Sequence, residues 1–496
     1  MVEHTLHSIG QFLPEIVIVS TLCVIIVADL FIKSERHTTG WIMLGGLLLA
    51  GYFTIMQIGR SEAVFYDMVA VDPFAVFFKS ILILAGIFIV FFSMKSLELE
   101  SYKPRIGEYY MLIAGMMLGM MMMVGSANLL LMFLALELTS ICSYVLVGFT
   151  KSSLRSSESS MKYIIYGAVS SGIMLYGISL LIGVTSSTDI YTINEALIAG
   201  VEQTLILNIS VLMIIVGLGF KIAIVPFHFW APDVYEGAPV TIAALLAVAS
   251  KIAAFGMIIR FFSVTFIDSA GVSASGVWTA IEGIHWDLLL GGMAALAMIV
   301  GNLTALRQDN IKRMLAYSSI AHAGYILMGL VILTSEGLTA IMIYLFIYLF
   351  MNLGAFYVAM LFLNKAGTES IEEYKGLGFR APLAAIALTI FLVSLTGIPP
   401  TGGLIAKLYI FGAAISAGWI WLVVIAGITT VISLFYYIRV VRNMFFYKPD
   451  ENAPEISFDL TSKLILFALL IPTLFLGIYF APLLEIAKSS ISIIGF

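Results

Sequence analysis

Cysteine is nearly absent from this sequence, which has two in 496 residues. Cys23 and Cys142 both stand inside apolar runs, and they are too few and too scattered for an iron–sulfur cluster or a structural zinc site. The chain also lacks a Gly-x-Gly-x-x-Gly turn after a strand pattern, and no loop is long enough for a nucleotide-binding domain. No Asp/Glu/His cluster has metal-ligand spacing, and no nucleophile stands beside a base. These absences exclude redox centres, metal sites, nucleotide sites and covalent catalysis from the expected functions.

Charge is scarce as well, because only 11% of the residues are charged while 61% are hydrophobic. A soluble core does not need that composition, and apolar runs repeatedly reach the length of about 20 residues that spans a bilayer. The sequence therefore predicts an all-α polytopic membrane protein. No Lys or Arg precedes the first apolar run, so we expect a retained first helix and not a cleaved signal peptide.

Fourteen membrane-spanning segments are predicted, and they are called spans 1 to 14 below. Span 12 is too long for one plain crossing, and Gly-Ile-Pro-Pro-Thr-Gly-Gly at 397–403 interrupts it. An even number of spans places both termini on the same side. The spans are 9–32, 41–59, 74–94, 109–124, 127–149, 161–184, 205–225, 240–262, 287–305, 312–333, 337–364, 382–417, 419–446 and 462–483.

The distribution of basic residues predicts the orientation. Most of the 25 Lys and Arg lie in or beside the loops that follow odd-numbered spans, beginning with Lys33 and Arg36. On the opposite side, where the loops are acidic or neutral, we place Arg60, Arg260 and Lys488. Because cytoplasmic loops carry the excess of Lys and Arg, both termini are predicted to lie outside.

One predicted cytoplasmic loop, residues 226–239, departs from this charge bias. It carries Asp233 and Glu236 but no Lys or Arg, and it is rich in proline and aromatic residues. Such a loop is expected to pack against another surface and not to lie free in solvent. A partner surface and the mouth of a water path are both consistent with the sequence.

Two spans carry a lysine beside a helix break. Paired interrupted helices are typical of transporters built from inverted repeats. In span 7, Lys221 precedes Pro226, and in span 12, Lys407 follows the Pro-Pro pair at 399–400. Each break frees backbone groups that another group must satisfy. Spans 4–8 and 9–13 form equal groups of five with the break in the fourth span, and an odd number makes the groups inverted. The predicted division is 1–108 (three N-terminal spans), 109–262 (first repeat), 263–446 (second repeat) and 447–496 (span 14).

Glu137 is a carboxylate in the middle of span 5, where an ionised side chain costs a few kcal/mol unless it is paired or protonated. We expect it to face protein and to pair with Lys221 or Lys251 of the same repeat. A lysine whose protonation follows the charge of its neighbour can carry a proton. The alternative is that Lys221 caps the broken helix and Glu137 neutralises it for stability.

Three other polar side chains are weaker candidates. Lys79, near the outer end of span 3, fits snorkelling to the interface as well as it fits a function. His322, in Tyr-Ser-Ser-Ile-Ala-His-Ala-Gly-Tyr of span 10, is either a proton relay or a hydrogen-bonded packing residue. His228 borders the 226–239 loop, where packing is favoured over a role in proton entry.

Three strings carry a resemblance to a known family. They are Gly-Phe-Lys-Ile-Ala-Ile-Val-Pro-Phe-His-Phe-Trp-Ala-Pro-Asp-Val-Tyr-Glu-Gly-Ala-Pro at 219–239, Lys-Arg-Met-Leu-Ala-Tyr-Ser-Ser-Ile-Ala-His-Ala-Gly-Tyr at 312–325, and the 397–403 break. From about Gly125 to Phe446 the chain resembles subunit N of bacterial NADH–quinone oxidoreductase (respiratory complex I), one of three antiporter-like subunits. The short end after span 14 favours the subunit N family over its two longer relatives.

The resemblance implies two inverted five-helix repeats and a chain of buried titratable groups that forms a proton channel. The family's channel residues match Glu137, Lys221, Lys251 and Lys407. It also implies a bacterial cell membrane location beside other membrane-arm subunits. NADH, FMN, iron–sulfur clusters and quinone are implied to bind to partner subunits, with none in this chain.

The expected mechanism is proton transfer through the membrane, coupled to quinone reduction elsewhere in the complex. Protons are expected to enter near the 226–239 loop, load Lys221 and Lys251, pass to Lys407, and leave outward as the Glu137–Lys221 pair breaks or forms. One rival is a subunit of a multisubunit sodium/proton antiporter or of a membrane-bound hydrogenase. Another is a structural subunit whose buried charges only fix helix packing.

Overall fold

The computed structural model describes residues 2–31, 37–272, 276–281, 283–449 and 456–493. Lys33 and Arg36 of the first predicted cytoplasmic loop lie outside the described residues. Helices α1 to α21 are, in order, Val2–Gln11, Leu13–Phe31, Thr38–Ile55, Pro73–Lys95, Ile106–Gly125, Leu129–Val147, Leu154–Thr185, Ile190–Ile198, Thr204–Ile222, Trp230–Gly237, Val240–Leu245, Lys251–Phe266, Trp286–Ala305, Ile311–Val331, Ser335–Ala366, Leu377–Arg380, Pro382–Thr396, Gly402–Ser416, Ile420–Phe446, Leu460–Ile478 and Ala481–Ser489.

Four short strands and three other helical turns complete the described secondary structure. Strands β1 (Glu62–Val64) and β2 (Val69–Val71) form one antiparallel hairpin, and β3 (Ile267–Val272) and β4 (Trp278–Ala280) form another. A π-helical turn, Leu246–Ser250, joins α11 to α12 in one continuous helix. The 3₁₀ turns are Glu100–Arg105 and Ile371–Tyr374.

The prediction of fourteen spans is confirmed. In the described part of the chain, thirteen helices are long and apolar enough to cross a membrane. Helices α17 and α18, of 15 residues each, are the two halves of span 12 on either side of its break. The first crossing is shorter than predicted, because the chain turns at Phe12 and makes a separate helix, α1, before it.

Polar side chains fix where several membrane helices begin. Asp72 stands before Pro73, which is the first residue of α4, and its carboxylate accepts a hydrogen bond from the Ala75 amide at 2.8 Å. Asn128 and Asn310 each accept from two amides at the starts of α6 and α14. Such caps contribute about 1 kcal/mol each, so local sequence sets these boundaries.

The crossings form two groups of five, as predicted. The first group is α5, α6, α7, α9 and α11–α12, and the second is α13, α14, α15, α17–α18 and α19. Because five is odd, the second group enters the membrane from the opposite side. The fourth member of each group, α9 and α17–α18, is the one that ends or breaks beside a lysine. The division of the chain into four parts stays an interpretation of this helix order.

Helix α10 corrects the prediction of a loop at 226–239. Trp230–Gly237 is helical and lies against α7 and α14. The sequence gives little helical signal there, because the helix is only eight residues long and its carboxylates would repel each other in an isolated segment. The neighbouring helices supply the basic partners that stabilise it, as described below.

Candidate functional site

The backbone carbonyls freed by the break in span 7 accept hydrogen bonds from other groups of this chain. Helix α9 ends at Ile222, and Ala223 adopts a left-handed conformation with φ 56°. The carbonyl of Gly219 accepts from the Ile224 amide at 2.9 Å, and that of Phe220 accepts from the Trp230 indole at 3.0 Å. The alternative in which Lys221 caps the broken helix is therefore wrong, since other groups do so.

Lys221 is 2% exposed and donates a hydrogen bond to the Ser140 hydroxyl of α6 at 3.0 Å. Among the described residues no carboxylate oxygen lies within 4.0 Å of its ammonium, so the expected direct pair with Glu137 is open in this structure. Glu137 lies one turn before Ser140 and is half-buried, and its Oε1 is buried without a hydrogen-bond partner among the described residues. The serine is the group on α6 that the lysine reaches.

Lys251 follows the π-helical turn of span 8 directly. Its ammonium donates to the Ser319 carbonyl at 2.6 Å and to the Ser319 hydroxyl at 2.9 Å, and the residue is 1% exposed. The Tyr348 hydroxyl donates to the Ala247 carbonyl inside the π turn at 3.3 Å. Single π turns are common at functional positions because the extra residue redirects the side chains that follow.

Lys407 reaches back across the break in span 12. Its ammonium donates to the carbonyl of Thr396, the last residue of α17, at 2.8 Å, and to the Thr430 hydroxyl at 3.2 Å. It also lies 4.7 Å from the ring centroid of Tyr325. A helix carboxyl end carries partial negative charge and stabilises a cation. Lys407 therefore caps its broken helix, whereas Lys221 does not.

Two other buried cations are paired with carboxylates. Lys79 lies 2.6 Å from Glu15, and both side chains are 1% exposed. Arg260 donates to both carboxylate oxygens of Asp72 at 2.8 Å, and both side chains are fully buried. Of the two alternatives for Lys79, snorkelling is therefore wrong, because the side chain is buried against Glu15. Arg260 lies beside Asp72, on the side where the basic residues placed it, but it is buried there.

A string of buried polar groups leads away from Lys407 into the space between α13, α14 and α19. The Thr430 hydroxyl donates to the Tyr325 hydroxyl at 3.4 Å, and the Asn302 amide donates to the same hydroxyl at 3.2 Å. The Tyr436 hydroxyl then donates to the Asn302 carbonyl oxygen at 3.0 Å. These bonds link α18, α19, α14 and α13.

The string continues toward Lys251. The rings of Tyr436 and Tyr437 lie 4.3 Å apart, and the Tyr437 hydroxyl is 2.5 Å from the Ser318 hydroxyl. Ser318 is next to Ser319, the partner of Lys251. The structure therefore brings Lys251 and Lys407 to the two ends of a series of neighbouring polar residues. Its step from Tyr436 to Tyr437 is a ring contact, and its step from Ser318 to Ser319 follows the chain.

The two histidines lie at different places. His322 is 2% exposed, and its Nδ1 is 2.8 Å from the Tyr344 hydroxyl, so relay and packing are both compatible with its position. His228 is buried outside the membrane spans, and its Nδ1 has no hydrogen-bond partner among the described residues. Burial lowers the pKa of His228 below its usual range, so the ring is neutral at pH 7.

The acidic residues of α10 pair with basic residues of this same chain. The Asp233 carboxylate lies 2.7 Å from both Lys162 of α7 and Arg313 of α14. Glu236 also lies 2.7 Å from Arg313. The segment that has no Lys or Arg of its own therefore packs against its own bundle, and no partner surface is needed to neutralise it.

This cluster makes a prediction about pH. Burial alone would raise the pKa of Asp233, but hydrogen bonds from Lys162 and Arg313 outweigh it and lower that pKa below 3.8. The stabilisation is therefore present above the unfolded-state pKa of about 3.9 and is lost as pH falls through the folded-state value. We expect Asp233→Asn to lower the melting temperature at pH 7, with the difference from wild type shrinking as the pH approaches 3.

Glu158→Gln is the matched control for that measurement. Glu158 also pairs with Lys162, but its side chain is 65% exposed, and exposed pairs contribute little. We expect it to leave the melting temperature unchanged. A deficit in Asp233→Asn that stays constant from pH 7 to pH 3 would contradict the assignment of the effect to ionised Asp233.

A polar cavity of about 710 Å³ lies beside this cluster, on the side predicted to be cytoplasmic. Its lining includes Glu98, Glu236, Lys312 and Glu369. Lys312 is 2% exposed and lies 2.6 Å from Glu369, while Glu98 accepts from the Val240 amide at 3.0 Å, where the helix that carries Lys251 begins. Burial raises the pKa of Glu98 even though Lys312 opposes the shift.

The fold and the site together define an antiporter-like membrane subunit, with paired five-helix groups, a break in each, and buried lysines near the breaks. A family model described as NADH:quinone oxidoreductase/Mrp antiporter, TM matches residues 126–433. NADH-quinone oxidoreductase subunit N 2 of Chloroherpeton thalassium is 45% identical over 492 residues, which cover 98% of this chain and 95% of that protein. The chain belongs to the subunit N family of NADH-quinone oxidoreductase.

Solved structures share the fold along nearly the whole chain. A chain of respiratory complex I from Thermus thermophilus, solved with bound aureothin, is 27% identical with a TM-score of 0.78, covering 96% of this chain and 99% of that one. A chain of the Mrp complex from a Dietzia species has a TM-score of 0.81 at 20% identity, covering 98% and 97%. The second likeness concerns the fold alone.

Several site residues were missed by sequence reasoning. Asn302 stands in an apolar run of span 9, and a polar residue at such a position is itself a signal. Tyr325 is the last residue of the sequence motif at 312–325 that also contains His322, so that motif pointed to it. Ser140 and Thr430 gave no signal, because only tertiary packing places them opposite the lysines.

Proposed function

We propose that this chain is a proton-translocating subunit in the membrane arm of a bacterial NADH–quinone oxidoreductase. Membership of the subunit N family supports the assignment to that complex. NADH, FMN, iron–sulfur clusters and quinone would bind to partner subunits, and among the described residues no group of three or more His, Cys, Asp or Glu could hold a metal ion. Both termini would lie outside the cytoplasmic membrane.

One observation carries the proposal of a proton carrier. Lys221, Lys251 and Lys407 are 2%, 1% and 4% exposed, and in the described residues their ammonium groups donate only to neutral hydroxyl or carbonyl oxygens. A buried cation that makes no direct hydrogen bond to a carboxylate is costly, and it can relieve that cost by releasing a proton. Three other buried cations of the described residues, Lys79, Arg260 and Lys312, are held differently, because each has a carboxylate partner.

The proposed route starts at the polar cavity. Glu98 on its lining would receive protons from the cytoplasm and pass them toward Lys251, whose helix begins at the Val240 amide that Glu98 binds. The string of Ser318, tyrosines, Asn302 and Thr430 would carry them to Lys407. Lys221 would carry protons as well, and Glu137 would switch it, because a carboxylate that approaches Lys221 stabilises its charged form and one that withdraws favours release of the proton.

Lys251→Met tests the proposal in the assembled complex. Methionine keeps the length and apolar stem of lysine but cannot carry a proton. We expect NADH oxidation to continue in an assembled complex while proton uptake through this subunit falls about 100-fold, the scale of losing one general acid–base group. Proton uptake into vesicles and subunit content are measured on the same preparation.

The structural rival predicts a different result for this variant. If Lys251 only fixes helix packing, the complex would lose this subunit or its melting temperature would fall, and whatever assembled would pump normally. The sodium/proton antiporter rival is tested on the wild-type complex. Vesicle acidification that requires sodium, and stops when potassium replaces it, would overturn the proposal of a proton carrier.

A further inference from the structure

The helix that carries Lys251 leaves a gap in the proposed proton route. Glu98 accepts a hydrogen bond from the Val240 amide, where that helix begins. Lys251 lies 11 residues further on, about 16 Å along the helix axis, and no residue between the two has an ionisable side chain. A proton that reaches Glu98 therefore needs another group to bring it to Lys251.

The serine that binds Lys251 has room for a second donor. Its hydroxyl, Ser319 Oγ, accepts from the Lys251 ammonium at 2.9 Å and donates its own proton to the Ala316 carbonyl at 2.9 Å. A hydroxyl has one donor and two acceptor positions. Among the described residues, these two bonds leave one acceptor position of Ser319 for a further O–H group.

Tyr235 of α10 lies beside this position. The residue is fully buried, and its hydroxyl has no hydrogen-bond partner among the described residues. Burial raises the pKa of Tyr235, and the Ser319 side chain opposes that shift. Both residues also lie close enough to Tyr348 of α15 to act on its hydroxyl. The hydroxyls of Tyr235 and Ser319 are therefore neighbours, although they do not form a hydrogen bond of standard geometry in this state.

Ion pairs hold α10 so that Tyr235 extends into the bundle. Arg313, near the start of α14, lies 2.7 Å from the carboxylates of both Asp233 and Glu236, which flank Tyr235 in the helix. Ser319 lies six residues after Arg313, about 9 Å further along α14. The tyrosine thus reaches from the charged cluster on α10 to the serine that binds Lys251.

Packing alone does not account for a tyrosine here. The ring makes the packing contacts, with centroids 6.3 Å from Phe356 and 6.2 Å from Trp230. A buried hydroxyl without a hydrogen bond costs about 1–3 kcal/mol, and phenylalanine would fill the same space without that cost. The hydroxyl of Tyr235 therefore serves something other than the stability of this state.

We propose that Tyr235 is the residue that hands protons to Lys251, with the Ser319 hydroxyl between them. This inference rests on the proposed function, in which Lys251 carries protons. Glu98 and, from α10, Glu236 line the same polar cavity, so α10 borders both that cavity and the Lys251 site.

The transfer begins when Lys251 is neutral. The Tyr235 proton moves to the Ser319 oxygen, the Ser319 proton moves to the Lys251 nitrogen, and water that has taken a proton from Glu98 returns one to the Tyr235 oxygen. Glu98 is the net donor and Lys251 the net acceptor, while each group between them gives one proton and receives one. The steps are concerted, because the raised pKa of Tyr235 disfavours a free phenolate.

Tyr235→Phe in the assembled complex is the test, because it removes the hydroxyl and keeps the ring. We expect proton uptake into vesicles per NADH oxidised to fall about 100-fold, the contribution of a positioned acid–base group. Subunit content and melting temperature should stay at the wild-type level or rise, since no hydrogen bond is lost. Ser319→Ala keeps the Lys251 bond to the Ser319 carbonyl and should give the same loss of uptake. The double variant should lose no more than either single one, because the two hydroxyls act in one step.

Tyr374→Phe is the matched control. Tyr374 is also fully buried, and its hydroxyl also lacks a hydrogen-bond partner among the described residues. Its ring lies 4.2 Å from that of Phe362, which is 14 residues, or about 21 Å, further along α15 than Tyr348. We expect wild-type proton uptake from this variant.

Three results would overturn the inference. One is proton uptake that Tyr235→Phe leaves unchanged while Lys251→Met lowers it in a parallel preparation. Another is a loss of uptake in Tyr235→Phe that is matched by a loss of subunit content or melting temperature, which would show a structural hydroxyl. The third is a double variant whose losses multiply, because Tyr235 and Ser319 would then act in separate steps. If Lys251→Met also left uptake unchanged, the proposed function itself would fail, and this inference with it.

Discussion

Lys221→Ala is expected to stop proton transfer through this subunit while the complex still assembles and oxidises NADH. The reason lies in how Lys221 is held, since its ammonium has one neutral partner, the Ser140 hydroxyl, and the broken helix is capped by other groups. Removing it takes away a proton carrier without removing a cap or half of an ion pair. We expect a loss of about 100-fold or more in proton transfer, typical of an essential acid–base group.

Ser140→Ala is the matched control for that variant. It removes the hydrogen bond to Lys221 but leaves the ammonium and Glu137 in place. We expect a much smaller loss of proton transfer, because Lys221 can still be protonated and deprotonated. If Ser140→Ala were as damaging as Lys221→Ala, the site would depend on the position of the hydroxyl and not on the titration of the lysine.

The second large effect is expected at the buried pair of Arg260 and Asp72. Arg260→Met leaves the Asp72 carboxylate fully buried without the arginine that neutralises it, and breaking a buried pair in this way costs about 3–5 kcal/mol. That is a large share of the stability of a typical domain. We expect a lower melting temperature and less assembled subunit, with normal proton transfer per assembled complex.

A double variant separates the charge from the helix cap. Asp72 also begins α4 by accepting from the Ala75 amide, and asparagine is an equally good cap at this position. Asp72→Asn combined with Arg260→Met therefore removes both charges and keeps the cap. We expect it to recover most of the stability that Arg260→Met loses. A double variant as unstable as the single one would show that the arginine acts through packing and not through its charge.

The sequence predicted the fold well because each membrane helix is determined mainly by residues within its own segment. Each span needs about 20 apolar residues, and a cap or a Pro-Gly break marks its ends. The spans beside Asp72 and Pro399 could therefore be recognised from their own residues. Helix α10 was missed because its stability comes from Lys162 and Arg313, which lie far from it in the chain.

The site was predictable only in part, for the same physical reason. Glu137, Lys221, Lys251 and Lys407 were singled out because charge inside a membrane is costly wherever it occurs. Which charges are paired depends on distant helices, so sequence could not show that Arg260 binds a carboxylate directly while Lys221 binds a hydroxyl. The polar string through Tyr325 needs five helices to come together before it exists.

The proton-to-electron ratio of the complex carrying Lys221→Arg tests the central claim most directly. Arginine keeps the positive charge and the hydrogen bonding, but it does not release its proton in proteins. If Lys221 is a proton carrier, the ratio falls as far as it does with Lys221→Ala, in a complex that is fully assembled. If Lys221 is a structural charge, arginine restores the wild-type ratio, and the proposal that this lysine carries protons is contradicted.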